Sequence, residues 1–211
     1  AKWVVCSVDP AKIVDLGGKV KFPECKVVHV GDRKSATSYV YNNGGRGYKI
    51  NGLRLSEGNG VTVNAGSYSV IKAGDNSKIM SGHYSNVVAG ADSSVGVDNH
   101  SKVTSGDRSR ISCQSGCRVR VGDHSTVLSG DDSWITVGEF SVIESRWTSR
   151  IKGGRYSKLK GGSETAMSGG PGSVISSVKP VTGRIISVTI GEGGFRPNVF
   201  YRHRAGNWVE V

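Results

Sequence analysis

No run of 18 apolar residues occurs anywhere in the 211-residue chain, so no segment is long and greasy enough to cross a bilayer as a helix. Proline is scarce, 5 residues against 31 glycines, and the glycines keep no three-residue period, which excludes collagen and a disordered Gly/Pro tract. Cysteine is limited to Cys6, Cys25, Cys113 and Cys117. Four are too few for a disulfide framework in a chain of this length, and a reducing, cytoplasmic setting is the expectation. The first ten residues, AKWVVCSVDP, carry no apolar core of the secretory-signal type, although the absent Met leaves a processed first residue or a removed leader open. There is no Walker-type phosphate loop. Cys113 and Cys117 have no second pair at metal-knuckle spacing, and no His stands beside a recognisable nucleophile motif.

What the chain does have is a period. From Ser67 to Val178 it divides into fourteen octads without an insertion, beginning SYSVIKAG, DNSKIMSG, HYSNVVAG. The third position is Ser in twelve, with Cys117 and Thr165 as exceptions. The fifth is aliphatic throughout, from Ile71 and Ile79 to Met167 and Ile175, and the eighth is Gly in ten. A short fixed period of this kind is the mark of a solenoid. Ser-x-aliphatic-x-small alternates at period 2, so the Ser, the aliphatic and the small seventh residue face one way and the two between them face the other. Glycine at the eighth position is expected to make the corner by taking positive φ. Two octads then close one coil of sixteen residues, and the fold class is all-β: a β-solenoid of about seven coils with β caps. A coil of eight would leave too few residues facing inward. Inward hydroxyls are costly unless bonded, and stacked Ser side chains can bond the backbone or one another.

Residues 1–64 read as short β runs (KWVVCSV, KVVHV, TSYVYNN, YKINGLRL) with no credible helix, capping the solenoid edge against stray pairing. Octad phase is already visible at Leu53/Leu55 and Val61/Val63. The octad region covers residues 65–178. Phase breaks at Lys179-Pro180, and residues 179–211 offer RIISVTI, then VFYRHR and NWVEV around Ala-Gly, a closing hairpin.

The run AGDNSKIMSGHYSNVVAGADSSV, with SGDRSRI, GDHSTVLSGDDSWITV and MSGGPGSVI, resembles the C-terminal coils of bacterial ice nucleation proteins. The tail GEGGFRPNVFYRHRAGNWVEV is similar to the closing segment of bacteriophage octapeptide-repeat proteins. The resemblance implies an octapeptide β-solenoid, a phage or prophage setting, and host cytoplasm as the location; it carries fold more firmly than function. The ice-nucleating pattern of outward Thr-x-Thr is absent here. The resemblance is instead to that family's basic terminal coils, which implies self-association and a homo-oligomer.

Sorting outward pairs by alternate octads gives two faces. Face A presents Val70/Lys72, Asn86/Val88, Lys102/Thr104, Arg118/Arg120, Trp134/Thr136, Arg150/Lys152 and Ala166/Ser168. Face B is mixed and includes Met80, Leu128, Val142 and Glu144. Lys72, Lys102, Arg118, Arg120, Arg150 and Lys152 with Trp134 form a basic stripe without an acid, suited to a phosphate backbone with a π-face for a base. Net charge is +11, in agreement with an anionic partner, nucleic acid or a host nucleoprotein complex, with anti-defence action as one setting. The plainer readings are a solvated face that deters sideways pairing, and a protein interface, to which an outward Trp134 and the apolar Met80, Leu128 and Val142 belong. Asp75, Asp107, Asp123 and Glu139 recur at the first octad position, with Ala91 interrupting. Stacked acids could hold a cation or act as sugar-cleaving carboxylates, but Gly-Asp-x-Ser is also ordinary turn chemistry. The expectation is therefore no metal, no cofactor, no membrane and no catalysis.

Overall fold

In a computed structural model that describes residues 1–178 and 182–211, the octads wind into a parallel β-solenoid. The expected phase break at Lys179-Pro180 lies outside the described residues. Alternate octads stack into two sheets. One sheet runs Arg54–Ser56, Val70–Lys72, Asn86–Val88, Lys102–Ser105, Arg118–Val121, Trp134–Thr136, Arg150–Lys152 and Ala166–Ser168, and its outer surface is face A. The other runs Thr62–Asn64, Lys78–Ser81, Ser94–Val97, Arg110–Cys113, Thr126–Ser129, Val142–Ser145, Lys158–Gly161 and Val174–Val178, and carries face B. Every parallel pair of strands keeps a register of sixteen, as in Lys102↔Arg118 and Arg110↔Thr126. Eight coils result, because the Leu53–Val63 stretch forms the first. The rod is about 38 Å long at roughly 4.8 Å per coil.

The interior follows the octad. Ile71, Ile79, Val95, Val103, Ile111, Val127, Ile143 and Ile151 are fully buried in one continuous cluster. The third-position serines are buried too, and each Oγ is bonded twice over. The Ser109 N–H donates to Ser125 Oγ at 3.2 Å, and Ser125 Oγ donates to the Asp123 carbonyl at 3.1 Å. The same pattern joins Ser77 to Ser93, Ser125 to Ser141 and Ser141 to Ser157. This serine ladder satisfies the polar groups that a thin core would otherwise strand.

The corner chemistry differs from the sequence expectation. The eighth-position glycines do not take positive φ. The second position does in all fourteen octads, twelve of them with a side chain, including Tyr68 (59°), Arg108 (53°), Phe140 (52°) and Thr148 (54°). Glycine stands at the eighth position for lack of room: a Cβ at Gly90, Gly122 or Gly138 would strike Asp75, Asp107 or Asp123 Oδ1 of the preceding coil.

The N-terminal cap also departs from an all-β reading. TSYVYNN is helical, in α1 (Arg33–Val40) and the wide turn Tyr41–Gly45 that follows. The Asp32 side chain accepts the Ser35 N–H at 2.7 Å and caps the helix. The β-prone sequence is overridden by what α1 covers. Thr37 Oγ1 accepts the Arg54 N–H at 3.3 Å and Ser38 Oγ donates to the Arg54 carbonyl at 3.2 Å, so the helix satisfies the open edge of the first coil. Behind it Trp3–Ser7 pairs with Lys26–Gly31 antiparallel. At the far end Ile185–Thr189 pairs antiparallel with Val174–Val178, and the hairpin Tyr201–Arg204/Asn207–Glu210 closes the other sheet.

Candidate partner-binding faces

Face A lines up two columns of side chains one coil apart. The fourth octad position gives Lys102, Arg118, Trp134 and Arg150 as successive direct neighbours. The sixth gives Thr104, Arg120, Thr136 and Lys152. All the cations named are exposed, and Trp134 is 60% exposed. The Arg118 guanidinium lies 5.5 Å from the Trp134 ring centroid, and that of Arg150 lies 3.8 Å from the ring of Phe200 in the tail. Among the described residues no ion pair engages Lys102, Arg118, Arg120, Arg150 or Lys152. Lys72 stands apart, with Val88 and Thr104 between it and Arg120 in the same column. The structure thus brings six of the seven predicted face A residues into one cluster.

The corner acids are committed to the fold. Asp75, Asp107 and Asp123 Oδ1 accept the N–H of Ala91 (2.8 Å), Asp123 (2.9 Å) and Glu139 (2.8 Å) one coil on. On the opposite corner Asn51, Asn99 and Asp131 do the same for Ser67, Ser115 and Trp147. Each of these aspartates therefore serves as a coil-to-coil clasp, Glu139 taking part only through its N–H, and the acidic column edges the basic stripe rather than entering it.

Face B separates the three predicted interface residues. Leu128 and Val142 lie on adjacent coils, 47% and 43% exposed, beside Phe140 at 50%. Met80 is three coils away in the Leu128 column, folded over Gly96 where a Cβ would meet its Sδ. Glu144 pairs with Lys160 at 2.7 Å. A groove of 440 Å³ runs along this edge past Cys113, Gln114, Leu128 and Arg146. Cys113 and Cys117 fill the slots in which other coils have Ser105/Ser109 and Ser145/Ser149, whose hydroxyls bond at 2.9 and 2.7 Å. The hydrogen bond to Cys117, then burial, pushes the Cys113 thiol up. The same bond, with the Ser101 and His100 amides, lowers Cys117 to about 7.

Sequence reasoning missed two exposed aromatic ladders at the positive-φ corners. Tyr68, Tyr84 and His100 stack at 5.3 and 5.2 Å at the corner entering face A. His124, Phe140 and Tyr156 stack at 5.1 and 5.3 Å at the corner entering face B. Each ends on a glycine, Gly116 and Gly172, where a Cβ would press into the last ring. Sorting the second octad position by alternate octads, as was done for the outward pairs, would have revealed both.

Comparison with known proteins bears on the frame. The chain is 52% identical over 42 residues to an ice nucleation protein of Pseudomonas syringae and 49% identical over 45 residues to one of Pseudomonas fluorescens. These stretches cover 19% and 20% of this chain and 4% of each relative, so the chain spans only a small fraction of the curated relatives it matches. No family model matches, and no solved structure matches. The short identity and the stacked coils together make this a β-solenoid repeat protein that resembles ice nucleation protein coils.

Proposed function

We propose that the protein is a non-catalytic rigid scaffold whose face A binds the phosphate backbone of a single-stranded nucleic acid. The observation that carries this is the unbroken column Lys102–Arg118–Trp134–Arg150 with Arg120 and Lys152 beside it, cations free of ion pairs among the described residues. Coil spacing of roughly 4.8 Å sets these cations in a regular row along a strand, and Trp134 offers a base a surface to stack on. The chain's +11 charge adds attraction at long range. A phage protein acting in host cytoplasm is the setting proposed for it, on the resemblance of its octads and tail. The test compares a labelled single-stranded oligonucleotide bound to the wild type and to a face B control, Lys78→Ala/Arg110→Ala/Lys158→Ala. A face A variant, Arg118→Ala/Arg120→Ala/Arg150→Ala/Lys152→Ala, is expected to lose binding while the face B control keeps it; binding kept by the face A variant, or no binding by the wild type, overturns the reading.

A second reading rests on the exposed Leu128, Val142 and Phe140. These would make face B a subunit contact, and the protein a self-assembling structural module. Light scattering at high concentration tests it, and a strictly monomeric species excludes it. The relatives' name raises ice binding as a third role, which faceted crystals or thermal hysteresis would reveal. The outward pairs of the octads contain no Thr-x-Thr to form the array.

A further inference from the structure

Residues 1–31 form the least supported part of the molecule. Not one of them is buried. Val4, Val14, Leu16, Val20 and Val27 are each more than half exposed. Trp3–Ser7 and Lys26–Gly31 make a two-stranded sheet, and Val14–Asp15 and Val20–Lys21 make another. Two-stranded sheets without a buried face are marginal in water, and natural units too small for a core are held by covalent staples.

The register supplies a staple. Cys6 stands opposite Val27, and Ser7 opposite Lys26. Cys25 stands one residue before the strand; continuing the register past the bulge between Val5 and Cys6 sets it opposite Val8 and diagonal to Cys6, on the same side of the sheet. Both cysteines are exposed and free. A side-chain hydrogen bond with Cys25 is the largest influence on the Cys6 thiol and raises its pKa.

We propose that Cys6 and Cys25 are a disulfide site, and that in an oxidising environment the bond locks the N-terminal sheet. The link closes a loop running from residue 6 to residue 25 within a segment that has no core to hold it. The oxidant is a small-molecule disulfide such as oxidised glutathione. One protein thiolate attacks a sulfur of the oxidant, forming a mixed disulfide and expelling one glutathione thiolate. The second protein thiolate then attacks the protein sulfur of that mixed disulfide and expels the other glutathione thiolate. Two protein thiols are oxidised, one oxidant disulfide is reduced, and the two thiol protons end on the two glutathiones. This inference is independent of nucleic-acid binding.

The test uses the full chain as Cys113→Ser/Cys117→Ser, substitutions that restore the serines other coils have in these slots. After equilibration with oxidised glutathione, non-reducing peptide mapping is expected to show the Cys6 and Cys25 peptides joined within one chain and two hydrogens lighter. Cys6→Ser and Cys25→Ser, each on the same background, are expected to lose the joined species. Limited proteolysis of residues 1–31 is expected to slow about tenfold on oxidation, since cleavage tracks local opening. Stable glutathione adducts on both thiols, a link between two chains, or an unchanged digestion rate would each overturn the proposal.

Discussion

Arg118 and Trp134 are direct neighbours on adjacent coils, with the guanidinium carbon 5.5 Å from the indole ring centroid. The pair holds a cation and an aromatic surface together on a rigid sheet, with Lys102 and Arg150 continuing the column on either side. Base stacking on an aromatic contributes about 1–3 kcal/mol per base. Trp134→Ala is therefore expected to weaken binding of a single-stranded oligonucleotide by about 5- to 150-fold, with little change in thermal midpoint because the side chain lies outside the core. Fluorescence anisotropy reads the affinity; an unchanged affinity removes Trp134 from the site.

The serine ladder gives a stability prediction. Ser125→Ala removes the acceptor of the buried Ser109 N–H. An unsatisfied buried donor costs about 1–3 kcal/mol, so urea unfolding should lose roughly that amount. Cys117→Ser, which restores the ladder, is expected to stay within about 0.5 kcal/mol of wild type or to gain. A Ser125→Ala variant as stable as wild type would mean that the ladder is not what satisfies these amides.

Glycine at the eighth position is a packing requirement. Gly122→Ala would drive its Cβ into Asp107, whose Oδ1 is bonded to the Asp123 N–H. Overpacking of this type costs about 1–3 kcal/mol. Gly58→Ala, with open space around it, is expected to be close to neutral in the same denaturant titration. A positive-φ explanation would instead make Thr148, at φ 54°, the more sensitive kind of site. Thr148→Asn is expected to be tolerated, since Asn visits this region more readily.

Glu164 on the last coil is bonded to Arg204 and Arg202 of the tail, with Arg204 the main cause of its lowered pKa. A carboxylate depressed in the folded state stabilises above its unfolded pKa, and that contribution disappears as pH falls through the folded pKa. The thermal midpoint of wild type minus that of Glu164→Gln should be positive at neutral pH and shrink toward zero in acid. A difference independent of pH would contradict the ion pair as its source. The effect is modest, because the pair is exposed.

The octad made much of the fold legible. Ser at position three and an aliphatic at position five fix what faces inward, and period 16 fixes which outward side chains meet, so the Arg118–Trp134–Arg150 column could be written from sequence. Four features were not read from it. Helix α1 is built of Ser, Thr, Tyr and Val, which read as strand, and exists because Thr37 and Ser38 satisfy the edge at Arg54. Gly122 looks like a turn residue until Asp107 of the preceding coil is seen to fill its side-chain space. Tyr84 and Phe140 carry no sequence signal for positive φ, so the corners they occupy were not legible, although the ladders follow from the second position at period 16. Met80 reads as part of an apolar patch with Leu128, but the empty Gly96 and polar Ser112 between them break the column.

The most direct measurement of the central claim is the salt dependence of single-stranded oligonucleotide binding by wild type and by Arg118→Ala/Arg120→Ala/Arg150→Ala/Lys152→Ala. For single strands, log K falls with log salt by about 0.7 per phosphate neutralised. The quadruple variant should lose up to about 3 from that slope and lose measurable affinity near physiological salt. A variant that keeps both the wild-type affinity and the wild-type slope would contradict a nucleic-acid site on face A.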